Sequence, residues 1–306
     1  ARTSRFLAPL MTLALLLSSA ALVLPPQQVL AADYWSINIP ADAGTDGGNA
    51  ALKFGTASGA SDAYDAGTDV SAPPAAPGAD FDSYFQISSG AFTELNEDYR
   101  AALGAAPGST IVWSLYLMSD SQDIDLSWDD PAAAGVPTDA SIILSGAGQT
   151  VNMRTSSSAT YTGGDDFTLT ITVTRLGTPD EVWVDDDWCE TEATDGEVVG
   201  DGYVFGYNAF CGIQDGVDAI EADDPDDGGT VHVISSEGSA EYSPFTISEN
   251  NVEVLGEDGA VVSGGATIDH ANGVTIQNLE FSGTVYCNNT TDTNLVDLSV
   301  TGLGGG

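Results

Sequence analysis

Clustered aspartates, a pair of tryptophans and three cysteines are the side chains whose types and spacing suit chemistry in this sequence. Asp185, Asp186 and Asp187 stand in a row, and Asp223-Asp224 is followed, after Pro225, by Asp226-Asp227. Aspartates beside turn residues offer the hard oxygen ligands that suit calcium. The candidate metal ligands are therefore Asp185, Asp186, Asp187, Asp224 and Asp226. Neither run has the spaced Asp-x-Asp-x-Asp-Gly form of a calcium loop with a distant glutamate, and the competing reading of each is a solvated turn. Trp183 and Trp188 flank the first run, where they either stack on sugar rings or are buried. Cys189 and Cys211 either pair, in an oxidising compartment, or stay as reduced buried thiols. No Cys-x-x-Cys occurs, and His232 and His270 are the only histidines, which argues against zinc held by cysteine.

Asp269-His270 is the only Asp-His neighbour in the chain. With no partner groups visible beside it, the pair reads as a loop between strands rather than as a catalytic dyad. Asn288-Asn289-Thr290-Thr291 holds two overlapping glycosylation sequons, informative only in a host that glycosylates exported proteins.

The elements that must position these groups fall into two parts. Acidic residues number 46 against 6 basic ones, a net charge of -40, and Lys53 is the only lysine. Such a field repels nucleic-acid phosphate and anionic lipid, so nucleic-acid binding is excluded as a role. It favours solubility in salt and attraction of divalent cations. Residues 1–32 read as a signal peptide: Arg2 and Arg5 precede an apolar run over 6–24, and small residues over 29–32 supply a cleavage site. The mature chain is expected to be extracellular or at the cell surface, with no membrane insertion.

Residues 33–176 read as one domain. After a Gly-, Ala-, Asp- and Pro-rich lead, short segments at 81–87, 110–117, 123–128, 140–144, 151–154 and 167–173 alternate apolar with polar residues between turns. That spacing predicts an antiparallel β-sandwich. Phe167, Leu169, Ile171 and Val173 share one face of such a strand and Thr168, Thr170 and Thr172 the other.

Residues 177–306 read differently. Phe210, Ile213, Val217 and Ile220 recur at helical spacing, which predicts a short helix able to cover the end of a solenoid. Valine- and isoleucine-rich strands beginning at Val252, Val274 and Leu295 start 22 and 21 residues apart, the sequence form of stacked coils. The pattern runs to Gly306 with no terminal cap visible, so the solenoid is expected to continue.

The runs 182–187, 207–219 and 228–233, followed by 245–248 and 251–256, resemble the entrance and first coils of secreted right-handed parallel β-helix proteins, the pectin-lyase-like superfamily. The resemblance covers about 182–302. The runs 54–65, 124–128 and 151–154 are similar to an accessory domain of secreted multidomain bacterial and archaeal proteins. Together they imply an all-β chain: an antiparallel β-sandwich, then the first coils of a right-handed parallel β-helix with a short capping helix. Lyases of that superfamily use a basic residue, and no Arg or Lys lies between Leu176 and Gly306, so a lyase site is not expected in these coils. The expectation is a structural or adhesive protein contacting polysaccharide or a cell-surface glycan. The alternative is a polysaccharide-degrading enzyme, lyase or glycoside hydrolase, whose catalytic coils lie beyond the C-terminal end.

Overall fold

The computed structural model describes residues 34–220, 228–235, 242–257 and 260–300. The fold is predominantly β, with two short helices among the described residues, α1 (Asp187–Glu190) and α2 (Ile213–Ile220). No helix among them is long and apolar enough to cross a membrane.

The N-terminal part holds a nine-stranded sheet and a four-stranded one. Alternation explains why. In Asp166–Arg175, Leu169, Ile171 and Val173 are fully buried while the threonines between them point outward. This strand pairs antiparallel with Thr110–Ser119, Ile171 opposite Trp113 and Leu169 opposite Leu115, and on its other side with Ala140–Gly146. The core to which both sheets contribute is aromatic at its centre. Trp35, Phe54 and Trp113 meet edge to face at 5.1 to 5.9 Å, arrangements worth about 1 kcal/mol each beyond area burial. Ile124 and Leu126, from the smaller sheet, close it.

Two features depart from the expected antiparallel pattern. Lys53–Thr56 pairs parallel with Glu94–Arg100, and the latter strand, Glu-Leu-Asn-Glu-Asp-Tyr-Arg, has no apolar alternation to announce it. Its buried polar positions satisfy one another. Arg100 forks onto Asp98 through Nε and Nη2 at 2.9 and 2.8 Å, and reaches Asp62 at 3.1 Å. Burial pushes the Asp98 carboxyl up, against the opposing pull of Arg100. Removing the guanidinium would leave that carboxylate buried and alone, a loss on the order of 3–5 kcal/mol.

Beyond residue 180 every pairing in the three main sheets is parallel. The first sheet runs Ala209–Phe210, Glu181–Val184, Gly229–Val233, Val252–Gly256, Thr275–Gln277 and Asn294–Val296. The second holds Val261–Val262, Glu280–Phe281 and Ser299–Val300; the third holds Phe245–Ile247, Ala266–Asp269 and Tyr286–Asn288. From Val252 onward the chain visits first, second and third sheets in turn, then begins again. The ladder pairs Glu253 with Thr275, a repeat of 22, and then Thr275 with Asn294, a repeat of 19. The third apolar run therefore starts two residues beyond the position that stacks on Val274.

Inward residues stack in columns. Val182, Val231, Val254, Ile276 and Leu295 lie in register, the first four fully buried. Corners between sheets use left-handed backbone: Asn251, Gly273 and Asp292 recur before the first sheet, Asn278 and Asp297 after it, and His270 and Asn289 after the third. Asn and Asp tolerate that conformation because their short side chains bond locally. Asn272 donates through N and Nδ2 to Asn250 Oδ1, and Thr291 donates through N and Oγ1 to Asn272 Oδ1 at 3.0 and 2.6 Å.

α2 lies over the first coil. Ile213, Val217 and Ile220 are buried, a contribution of about 2 kcal/mol each. Gly216 faces the coil at a distance only glycine allows: a Cβ there would stand 2.9 Å from Val184 and 3.2 Å from both Val182 and Val231. Phe210, expected on the same helix face, belongs instead to a strand and is half-buried, because the helix starts only after Gly212.

Candidate functional site

The singled-out groups converge where the chain passes from its first part to its parallel sheets. Strand Glu181–Val184 ends at Asp185, and the chain turns at once into α1, which brings three carboxylates together. Asp185, Asp186 and Asp187 each offer an oxygen within 4.8 Å of the others, all half-buried. Asp185 Oδ1 accepts the Asp187 backbone N–H at 3.1 Å. Asp186 Oδ1 is buried with no hydrogen bond of ordinary geometry, the Tyr242 hydroxyl being the group that lies against Asp186. Burial first, then the charges of Asp187, Asp186 and Glu257, push the Asp185 carboxyl above its ordinary value. Donor chemistry and the orphaned oxygen fit a hard divalent cation. Asp224 and Asp226 lie outside the described residues.

The two tryptophans do not stand open. Trp188 is 8 % exposed, packed in α1 beside Tyr203. Trp183 points outward from its strand, but Tyr203 stacks on it at 4.1 Å and 16°, and His232 on the neighbouring strand at 4.9 Å and 12°. Of the two readings of these tryptophans, the geometry resembles the buried one: Tyr203, Trp183 and His232 form a ring column that uses the flat faces internally, Trp183 and His232 being cross-strand neighbours.

Cys189 and Cys211 form a disulfide with Cα atoms 5.7 Å apart, joining α1 to the residues just before α2 across 22 positions. Closing a loop of that length is worth about 3 kcal/mol by restriction of the unfolded chain. Cys287 is free and exposed.

Beside the disulfide lies a cleft of about 760 Å³. Leu176, Phe205, Tyr207 and Phe210 form its apolar surface, and Asp139, Asp195, Asp215 and Asp218 its polar one. Tyr207 is held by donating its hydroxyl hydrogen to the Gly177 carbonyl at 3.1 Å. Asp139 pairs with Arg175, and Asp218 accepts from Gln214 at 2.7 Å. No lysine, arginine or histidine lines the cleft among the described residues. Its residues are scattered over more than 100 positions of sequence, so no local motif could have marked it.

Arg154 ties the two parts together near this region. It donates to the carbonyls of Ala140, Val136, Pro137 and, across the junction, Gly196 at 2.9 Å. Burial brings its pKa down to about 10, still charged at neutral pH.

Asp269 and His270 sit on the corner after the third sheet, both substantially exposed. His270 Nδ1 meets Asp269 Oδ1 at 2.7 Å, Asn288 donates to the same oxygen at 2.6 Å, and Asn289 Nδ2 meets His270 Nε2 at 3.1 Å. The two asparagine contacts join successive layers 19 residues apart, while the Asp269–His270 contact is between sequence neighbours at the end of the strand Ala266–Asp269. No protein-family model, no curated protein and no solved structure matches this chain.

Proposed function

We propose that this chain is a structural or adhesive protein of the cell surface or extracellular space that contacts glycan. Its first part is read as an antiparallel β-sandwich and its second as the first coils of a right-handed parallel β-helix with α2 as the cap. The observation that supports this reading is the register of outward side chains on the first parallel sheet. Glu181, Thr230, Glu253, Thr275 and Asn294 form one column, and Leu255, Gln277 and Val296 continue a second beyond the stacked rings of Trp183 and His232. Strands about 4.8 Å apart repeat these groups along a rigid face, which suits an extended polymer better than a small molecule.

The test is retention of the full chain on immobilised neutral, amino-sugar and uronate polysaccharides, with a scan for released sugar. Retention without product supports the reading. Release of product, abolished by Glu181→Gln and Glu253→Gln, overturns it in favour of a polysaccharide-degrading enzyme.

A further inference from the structure

The cleft beside the Cys189–Cys211 disulfide has a chemistry that the outward columns lack. Its volume of about 760 Å³ falls in the range of small-ligand sites, roughly 300–1,000 Å³. Phe205, Tyr207 and Phe210 are half-buried there, and Tyr207 is fixed by its bond to Gly177. Asp195 and Asp215 face the cleft with no hydrogen-bond or ion-pair partner among the described residues. Both carboxylates are exposed in the free protein, and an organic body resting on the aromatic surface beside them removes part of their water. That desolvation is costly unless the ligand brings a positive group. A neutral ring supplies none, and a uronate adds a like charge inside a concave acidic wall that concentrates the field. An ammonium group satisfies both requirements: it forms charge-assisted hydrogen bonds with the carboxylates and lies favourably over aromatic faces.

We propose that this cleft binds an amino sugar in its protonated form, the ammonium held between Asp195 and Asp215 and the ring resting on Tyr207 and Phe210. The sugar part rests on the glycan-contact reading above; the ammonium part rests on the cleft alone.

The experiment is calorimetric titration of the full chain with a glucosamine tetramer and with its fully N-acetylated counterpart. A chelator is present, salt is ~0.15 M to screen the bulk field, and pH is about 6, where aspartates are ionised. The free amine is expected to bind about 10-fold more tightly or better, the scale of one charge-assisted contact. The double variant D195N/D215N is expected to lose that preference. D80N/D120N, which removes the same charge from exposed positions outside the cleft lining, is expected to keep it. Equal binding of the two tetramers overturns the ammonium assignment and leaves glycan contact standing. Equal weakening by both double variants overturns the cleft in favour of a diffuse charge effect. No binding of either tetramer overturns the site, while retention on immobilised polysaccharide separately decides the glycan reading.

Discussion

At the scale of residues, the chain places like charges where burial makes them expensive. The Asp185 carboxyl is pushed up by burial and by its acidic neighbours. A carboxyl raised in the folded state contributes stability that is fully present below the unfolded value, near 3.9, and is lost as pH rises through the folded value. Asp185→Asn keeps an oxygen for the Asp187 N–H and removes the charge. It is expected to raise the melting temperature by about 2 °C at neutral pH, with the gain shrinking toward zero near pH 4; a gain independent of pH would contradict this origin. The same melts with calcium test the cation expectation. A calcium-dependent rise in the wild type that Asp185→Asn removes supports it, and no rise removes it. The aspartate run itself was legible in the sequence, and so was the cysteine pair as one of two readings. Burial of the tryptophans was likewise one of two readings, but their ring partners were not legible, because stacking by Tyr203 and His232 depends on the pairing of Val198–Val199 with Tyr203–Val204 and on a neighbouring strand, which sequence spacing does not bring together.

At the scale of elements, periodicity carried most of the information. Strands such as Asp166–Arg175 and helix α2 were legible because alternation of period 2 and spacing of 3 and 4 survive in the residues that face the core. Glu94–Arg100 was not, since beside Leu95 its buried positions are filled by the Asp98–Arg100 ion pair instead of apolar side chains. Corner residues explain why the coil repeat was misjudged by two residues. Apolar runs mark where the core is, whereas register follows the left-handed corners at Gly273 and Asp292, 19 apart. Gly216 gives the sharpest test of the helix's seat. Gly216→Ala improves helix propensity by about 1 kcal/mol yet forces a methyl against Val184, Val182 and Val231. Overpacking of that kind costs about 1–3 kcal/mol, so a net loss of stability in denaturant titration is expected. A stabilised variant would show that the helix does not press on the first coil.

At the scale of the whole molecule, a net charge of -40 opposes compaction through self-repulsion. Raising sodium chloride from about 0.1 to 1 M shortens the screening length from ~10 to ~3 Å. The melting temperature is expected to rise by several degrees over that range; a flat or falling curve would mean that the charges are already compensated. The inward column carries a different lesson. One side of the stack is sealed by α2 and stapled by the disulfide. Each layer is the template on which the next finds its register, so ordering can spread from that stapled side. The staple and the helix thus place a starting point for the parallel sheets on the side that the ribosome releases first.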